Sequence, residues 1–368
     1  MKIAELELRT INLALVRPFR TSFGTQTARE VLMLKVTTAD GVVGWSECVA
    51  LSEPIYSPEY VAGCLDEMKR FFIPTLFSAL DLTAESVAPL LAGFLGSPMA
   101  KATLETALLD AQLRAENRSL ADFLGANKSK IPCGVSVGIA PSIPLLIEEV
   151  AGYIKDGYKR IKLKIEPGWD VEPVAEVRRT WPEIPLQVDA NQAYSRSDGP
   201  QLAKLDQFDL LLIEQPLDEH DILGHAQLAH DVQTPICLDE SIVSLRAAED
   251  ALALKATTVI NIKPGRVGGY LEAVRIHDLC LNEGIPVWCG GMIETGIGRA
   301  ANVALAALPG FTLPGDTSAS SRFFLRDITE PFVMKDGFLD VPNTIGIGRT
   351  PDMEFLDSIT SYKESIRP

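Results

Sequence analysis

The 368-residue sequence has few histidines, no closely paired cysteines and no long hydrophobic run. Its six cysteines are scattered without a CxxC pair, which is typical of reduced, buried thiols in a cytoplasmic protein. Of its four histidines, His220, His225 and His230 fall in one polar helical stretch, where we expect a solvated helix face rather than a metal site. Histidine is therefore not expected to carry the chemistry of this protein.

Charge and hydropathy exclude two classes of partner. No stretch approaches about 18 uninterrupted apolar residues, so no membrane-spanning helix is predicted. The first residues carry charges at Lys2, Glu5, Glu7 and Arg9, and they lack the apolar centre of a signal peptide. The formal net charge of -15 repels nucleic acids and anionic membranes. We expect a cytoplasmic protein whose partner is a small molecule.

The first 125 residues carry a different pattern from the rest. Strand-like alternation precedes three helical patterns in this part of the chain, in the order 2–16, 30–38, 58–74, 83–95 and 98–116. Strands followed by helices predict an α+β domain over 1–125. The polar residues 21–27 between the two strands are expected to form a loop that is too long for a tight hairpin. We interpret them as a mobile lid, with an ordinary surface loop as the alternative.

Beyond this domain, short apolar strands alternate with helical stretches. The eight strand candidates are CGVSVG, RIKLKI, PLQVDA, LLLIEQ, PICLDE, VINIKP, PVWCGG and FTLPGD. This alternation predicts an α/β fold with a (β/α)8-type barrel over 126–326. A doubly wound sheet would need a glycine-rich phosphate loop, and the sequence contains no GxGxxG or Walker motif. Residues 327–368 are expected to pack back on the N-terminal domain.

Polar residues end five consecutive strand candidates at a regular spacing. They are Lys164, Asp189, Glu214, Asp239 and Lys263, with steps of 25, 25, 25 and 24 residues. One βα unit of a barrel has about this length, so these residues should lie at equivalent strand ends, where barrel enzymes carry their active sites. A single carboxylate in such a place often caps a helix. Three carboxylates at equivalent ends of neighbouring strands favour a functional site.

Alternation within RIKLKI predicts that two lysines point into the barrel. Because Ile161, Leu163 and Ile165 share the face toward the outer helices, Lys162 and Lys164 share the opposite face. Unpaired charges are costly inside a barrel. The alternative to a catalytic role for these lysines is a buried ion-pair network.

The three carboxylates Asp189, Glu214 and Asp239 cannot all stay ionised close together without a cation. Oxygen ligands without Cys or His indicate Mg²⁺ or Mn²⁺. A substrate carboxylate beside that ion would present its α-carbon to Lys164 and Lys263, one on each side. Nearby positive charges should lower the pKa of such a lysine toward about 7 to 8. Arg266 is one candidate for this effect, and a solvated loop arginine is the alternative.

These residues resemble the enolase superfamily, in the branch related to muconate-lactonising enzymes. The matching positions are Lys162-x-Lys164, Asp189-x-Asn191, Glu214, Asp239-Glu240 and Lys263. More narrowly, several stretches are similar to the group of N-succinylamino acid racemases and o-succinylbenzoate synthases, namely PFRTSFGTQT, RIKLKIEPGWDVEPV, LLIEQPL, TPICLDESI, NIKPGRVGGYLEA, PVWCGGMIETGIGRA and LPGDTSAS. The resemblance extends through essentially the whole chain.

The resemblance implies a modified, TIM-like barrel that is capped by the N-terminal domain, with residues 18–27 closing over the substrate. It implies racemisation of N-acyl amino acids by Lys164 and Lys263, dehydration that forms o-succinylbenzoate for menaquinone synthesis, or both. It also implies a homo-oligomer, with an octamer among the sizes it allows. The supporting residues would be Lys162, Asn191, Glu240 and Arg266. The substrate-binding residues would be Phe19, Ser22, Phe23, Ser136, Gly290, Gly291 and Met292.

Three alternatives stay open at this point. The protein could be another cycloisomerase or epimerase of the superfamily, although Cys289-Gly290-Gly291-Met292 stands where dipeptide epimerases usually carry an acidic DxD pair. It could be a Schiff-base aldolase that uses Lys164 or Lys263, which would leave the three carboxylates without a purpose. A catalytically inactive binding protein would tolerate the change Lys164→Ala.

Overall fold

The structure is a computed structural model that describes residues 1–368. Its strands are β1 (Ile3–Thr21), β2 (Gly24–Thr38), β3 (Val43–Cys48), β4 (Lys130–Pro132), β5 (Gly134–Val137), β6 (Arg160–Lys164), β7 (Leu186–Asp189), β8 (Ile213–Glu214), β9 (Ile236–Leu238), β10 (Val259–Ile262), β11 (Val287–Cys289), β12 (Phe338–Asp340) and β13 (Thr360–Ile366).

Fourteen α-helices accompany these strands, and none of them combines the length and apolar composition that a bilayer crossing requires. They are α1 (Val61–Glu67), α2 (Ile73–Phe77), α3 (Ala84–Leu90), α4 (Pro98–Ala115), α5 (Leu120–Leu124), α6 (Ile143–Lys155), α7 (Val171–Thr180), α8 (Gly199–Leu202), α9 (Ile222–Asp231), α10 (Leu245–Ala253), α11 (Pro264–Val267), α12 (Tyr270–Glu283), α13 (Gly296–Ala306) and α14 (Met353–Ser358). A π-helical turn, Met68–Phe72, joins α1 to α2.

The N-terminal sheet is antiparallel, with the strand order β13-β1-β2-β3. Its longest hairpin contradicts the prediction that residues 21–27 are too long for a tight turn. The strands β1 and β2 stay paired as far as Thr21 and Gly24, so only Ser22 and Phe23 form the turn. Threonine and phenylalanine suit the extended backbone, which explains why the pairing continues to the tip. The domain boundaries stay predictions, although β13 does pair with β1.

The second sheet is parallel and runs in order from β5 to β11. The eighth strand candidate, FTLPGD, forms only isolated bridges, Val287↔Phe311 on one side and Cys133↔Gly315 on the other. Proline cannot donate to a ladder, which explains why Pro314 interrupts this strand. This segment still connects β11 to β5, the two edge strands of the sheet, because the N–H of Gly134 donates to the carbonyl of Gly315 at 2.7 Å. The predicted α/β class with a TIM-like barrel and an N-terminal cap is confirmed.

The histidine-rich stretch only partly follows the expectation of a solvated helix face. His220 and His230 are exposed, whereas His225 is fully buried, so the expectation is wrong for His225. Its Nε2 accepts from the N–H of Leu217 at 3.2 Å, and its Nδ1 lies 2.8 Å from the carbonyl of Asp221. Burial lowers the pKa of His225, consistent with a neutral ring that fixes the loop before α9.

Candidate active site

The carboxyl ends of five neighbouring barrel strands bring the evenly spaced residues to one level. Lys164, Asp189 and Glu214 are the last residues of β6, β7 and β8, and they pair directly in the sheet register. Asp239 and Lys263 directly follow β9 and β10. All five side chains are buried. The regular spacing in sequence therefore becomes a row of charged groups inside the barrel mouth.

Lys164 at one end of this row is held by two barrel residues. Its Nζ lies 2.6 Å from Asp189 Oδ2 and 2.5 Å from Asn191 Oδ1. Asn191 has a left-handed backbone with a φ of 42°, and its Nδ2 donates to Glu240 Oε1 at 2.9 Å. The other oxygen of Glu240 is buried without a partner. Burial and the charge of Asp239 raise the pKa of Glu240 to about 8.

Lys263 at the other end of the row contacts both the barrel and the cap. Its Nζ lies 2.7 Å from Asp239 Oδ2 and 3.0 Å from the hydroxyl of Tyr56. Arg266 donates to the second oxygen of Asp239 and, at 3.2 Å, to the same hydroxyl. Arg266 is buried, so its interpretation as a solvated loop residue is wrong. Tyr56 was not predicted, because it reaches the site from the loop after β3 and no local motif marks it.

Lys162 lies deeper in the barrel within a buried ion-pair network. Its Nζ is 3.0 Å from Asp189 Oδ2, 3.0 Å from Glu214 Oε2 and 2.7 Å from Asp316 Oδ2. Asp316 also pairs with Arg160 at 2.9 Å. Sequence reasoning missed Asp316, although it ends the eighth strand candidate just as the other charged residues end theirs.

The carboxyl groups of the row titrate in different directions. Burial raises the pKa of Glu214 well above its ordinary value, and the charge of Asp189 adds to this. For Asp189 itself, burial is outweighed by the positive charge of Lys164, and its pKa falls below the ordinary value. For Asp239, burial is outweighed by Arg266 and its pKa also falls. Glu214, between the two ionised aspartates, is therefore the least stable as an anion.

The lysine pKa values do not follow the expected lowering toward neutrality. For Lys162, burial lowers the pKa, but the charge of Asp316 and of the other carboxylates outweighs burial and raises it. For Lys263, burial also lowers the pKa, but the charge of Asp239 outweighs burial and raises the pKa well above its ordinary value. The expectation is thus wrong for these two lysines in this arrangement, because each ammonium directly contacts a carboxylate.

The predicted substrate-binding residues of the hairpin reach the barrel mouth. Ser22 Oγ donates to the carbonyls of Ala190, at 3.1 Å, and of Asn191, at 3.3 Å. The ring of Phe23 lies 5.9 Å from the ring of Tyr56, measured between centroids. The tip of the hairpin therefore covers the end of β7 and contacts Tyr56, which lies beside Lys263. Phe19 lies further back, beside Gly138.

The other predicted substrate residues come from the first and seventh barrel strands. Ser136 lies opposite Lys162 in the register, and its buried hydroxyl has no hydrogen-bond partner. Gly290 and Gly291 follow β11, and an added Cβ at Gly291 would lie 3.0 Å from the backbone oxygen of Asp316. Met292 is buried at the same rim. The segment after β11 thus borders the charged row at Lys263, and Ser136 lies beside Lys162 beneath it.

Comparison with known proteins identifies the family to which this chain belongs. The family described as "Enolase C-terminal domain-like" matches residues 145–355, and the family described as "Mandelate racemase / muconate lactonizing enzyme, N-terminal domain" matches residues 4–125. The chain belongs to the enolase superfamily. The resemblance stated from the sequence and the prediction of an enzyme are confirmed. Members of this superfamily use a divalent metal, generally Mg²⁺.

Individual members of the superfamily are similar along nearly the full chain. An N-succinylamino acid racemase of Amycolatopsis is 61% identical over 364 residues, which is 99% of each protein. An o-succinylbenzoate synthase of Geobacillus kaustophilus is 45% identical and is covered to 95%, with 96% of this chain aligned. A solved enolase superfamily structure from Listeria innocua has a TM-score of 0.96 and 39% identity, covering 100% of this chain and 99% of that one.

The superfamily's use of a divalent ion can be tested against the side chains present. No group of acidic, histidine or cysteine side chains is arranged here to hold a metal, because each of Asp189, Glu214 and Asp239 contacts a cationic or amide group instead. The donor set itself fits Mg²⁺ or Mn²⁺, since it is buried and consists of oxygen alone. Burial, together with the charges of Asp189 and Asp239, raises the pKa of Glu214, so a divalent ion bound here would stabilise this carboxylate as an anion.

Gly290 gives a first testable prediction. A Cβ at this position would lie 2.4 Å from Asn261 Oδ1 and 2.7 Å from Lys263 Cε, so alanine must displace Lys263. We expect Gly290→Ala to lower kcat by about 10²-fold, because small misplacements of a reacting group cost that much. Racemisation assays and thermal unfolding test this. The control is Gly152→Ala, where no atom lies within 4 Å of the added carbon. Equal kcat in both variants would contradict the prediction.

Proposed function

We propose that this enzyme removes the proton α to a carboxylate and racemises N-acyl amino acids, N-succinyl amino acids in particular. The observation that carries the proposal is the symmetry of the row. Lys164 contacts Asp189 at one end and Lys263 contacts Asp239 at the other, with Glu214 between them. Such a site offers an amine on each face of a substrate. The Amycolatopsis relative supports the N-succinyl substrate.

In the proposed racemisation, Lys164 Nζ takes the α-proton from one face and Lys263 Nζ delivers a proton to the other. The roles reverse for the opposite enantiomer. Asp189, Glu214 and Asp239 would hold Mg²⁺ or Mn²⁺, which supplies neutralisation of the negative charge that develops on the substrate carboxylate. Lys162, whose Nζ lies 3.0 Å from Glu214 Oε2 and 2.7 Å from Asp316 Oδ2, would add a positive charge beneath this row.

The remaining residues would hold the two lysines and enclose the substrate. Asn191, itself held by Glu240, orients Lys164 through the 2.5 Å contact. Arg266 fixes Asp239 beside Lys263. Closure of the hairpin tip over the mouth excludes water from the reacting atoms. The proposed substrate contacts are Phe19, Ser22, Phe23, Ser136, Gly290, Gly291 and Met292.

A second reaction at the same site is supported by the relatives named o-succinylbenzoate synthase. In that dehydration, Lys164 Nζ removes the α-proton of a cyclohexadiene carboxylate and returns it to the leaving hydroxide, which departs as water. Lys263 stays protonated and stabilises the developing negative charge. The epimerase alternative is not favoured, since an L-Ala-D/L-Glu epimerase of Bacillus subtilis is only 27% identical over 318 residues. The homo-oligomer and the cytoplasmic location stay predictions.

Optical rotation tests the proposal. With Mg²⁺, a solution of N-succinyl-L-phenylalanine should lose its rotation, and a chelator should stop the loss because the carboxylate row then lacks its cation. Formation of o-succinylbenzoate, followed by absorbance, tests the second reaction. Treatment with borohydride and substrate should leave the protein mass unchanged, since no Schiff base forms. Constant rotation of N-succinyl and N-acetyl substrates with either Mg²⁺ or Mn²⁺ would contradict the racemase proposal.

A further inference from the structure

Tyr56 is the one residue of the cap that forms a hydrogen bond to either of the two proposed proton-transfer lysines. Its hydroxyl oxygen accepts from Lys263 Nζ at 3.0 Å and from Arg266 Nη1 at 3.2 Å. Both cations also contact Asp239, so the four residues form a closed ring. The hydrogen bonds of Lys164 instead go to Asp189 and Asn191 of the barrel. The two ends of the row are therefore held differently.

The ring of Tyr56 also connects Lys263 to the hairpin. Its face lies toward Lys263 Nζ, which is 4.8 Å from the ring centroid. Its other neighbour is Phe23 at the hairpin tip, 5.9 Å away between centroids. Contact with Phe23 thus helps to fix the ring that fixes the lysine. At the other end of the row, Ser22 of the hairpin donates to the backbone carbonyls of Ala190 and Asn191 and forms no hydrogen bond to Lys164 itself.

A cavity of about 460 Å³ lies between cap and barrel, and Tyr56 forms part of its wall with Glu59, Glu219 and Glu240. Tyr56 itself is 8% exposed and Lys263 is 7% exposed. Removing the whole ring would enlarge this cavity, because Tyr56 forms part of its wall. Phenylalanine, in contrast, keeps the ring and deletes only the hydroxyl, which makes it the cleaner substitution.

We infer that Tyr56 is a positioning residue for Lys263 and not for Lys164, so that proton transfer on the Lys263 face of the substrate depends on this cap residue. This inference rests on the proposed function. Of the two hydrogen-bond partners of Lys263, Tyr56 is the uncharged one and is not a proposed metal ligand. Its hydroxyl directs the ammonium without adding charge. In a Tyr56→Phe variant the ammonium keeps only its hydrogen bond to Asp239 and samples positions away from the α-carbon.

The test is exchange of the α-proton in D₂O, followed by NMR with the Mg²⁺-loaded enzyme. N-succinyl-L-phenylalanine and its D enantiomer are the two probes. Lys164→Ala and Lys263→Ala show which enantiomer each lysine deprotonates. Tyr56→Phe should slow exchange of the Lys263 enantiomer by about tenfold to a hundredfold, the value of one hydrogen bond to a charged group, and leave the other enantiomer unchanged. The control is Tyr60→Phe, since Tyr60 is exposed and close in sequence.

The outcomes separate this inference from its premise. Persistent exchange of the Lys164 enantiomer, with an unchanged thermal midpoint, shows that Tyr56→Phe is folded. Equal slowing of both enantiomers would indicate a merely structural role and would overturn the inference, as would normal exchange of the Lys263 enantiomer. Absence of exchange of either enantiomer in the unaltered enzyme would overturn the proposed function and this inference together.

Discussion

Lys164→Ala and Lys263→Ala are each expected to lower the rate of racemisation by about 10²- to 10⁴-fold, the usual contribution of a general acid or base. Racemisation needs a proton acceptor on one face and a donor on the other, so loss of either lysine stops inversion in both directions. The two residues lie at opposite ends of the carboxylate row, and neither ammonium contacts the carboxylate partner of the other. Polarimetry with each pure enantiomer measures the effect.

The matched control for both variants is Lys204→Ala, because Lys204 is an exposed lysine outside the barrel mouth. Circular dichroism and thermal unfolding establish that the variants are folded. A buried ion pair loses one partner in each lysine variant, so some loss of stability is expected, and assays belong well below the unfolding temperature. A racemisation rate lowered by less than about tenfold in either variant would contradict the assignment of two opposed lysines.

Glu214→Gln is expected to weaken binding of Mg²⁺ or Mn²⁺ by more than about 100-fold. Loss of a residue that only supports a metal ligand costs up to about 100-fold, and loss of a ligand itself should cost more. Glutamine keeps the shape of the side chain and its acceptor toward Asn261, which donates to Glu214 at 2.8 Å. It removes one of the three negative charges that would hold the ion. Isothermal titration calorimetry with the metal ion measures the loss independently of activity.

Glu183→Gln provides the control for metal binding, since Glu183 is exposed and outside the barrel interior. Thermal unfolding in the presence and absence of Mg²⁺ adds a second readout. The ion should raise the midpoint of the unaltered protein and of Glu183→Gln, because a ligand that binds only the folded state stabilises it. Unchanged affinity in Glu214→Gln would contradict the proposed ligand set.

The fold and the charged row were predictable because both follow from a short repeat. A βα unit of about 25 residues places the ends of successive strands at the same height in the barrel. The structure shows this directly, because Lys164 pairs with Asp189 and Asp189 pairs with Glu214 in neighbouring strands. Alternation within β6 likewise predicted which side chains enter the barrel. The length of the repeat and the alternation of side chains along each strand are therefore enough to predict the residues of the charged row.

The missed features depend on contacts that local pattern does not encode. Tyr56 meets Lys263 across 207 residues of chain, and the contact of Ser22, itself a predicted residue, with Ala190 spans 168. His225 is buried because a backbone N–H of the preceding loop needs its ring nitrogen, which a polar helix pattern does not reveal. Asp316 is an exception. Its position at the end of the eighth strand candidate made it predictable, although Pro314 disrupts that strand.

The proposed racemisation requires that two lysines work on opposite faces of one substrate. The most direct measurement is exchange of the α-proton in D₂O by Lys164→Ala and Lys263→Ala, each assayed by NMR with both enantiomers of N-succinylphenylalanine and with Mg²⁺. We expect each variant to exchange the α-proton of one enantiomer without inverting it, and the two variants to act on opposite enantiomers. Action on the same enantiomer by both variants, or inversion by either, would contradict the proposed racemisation.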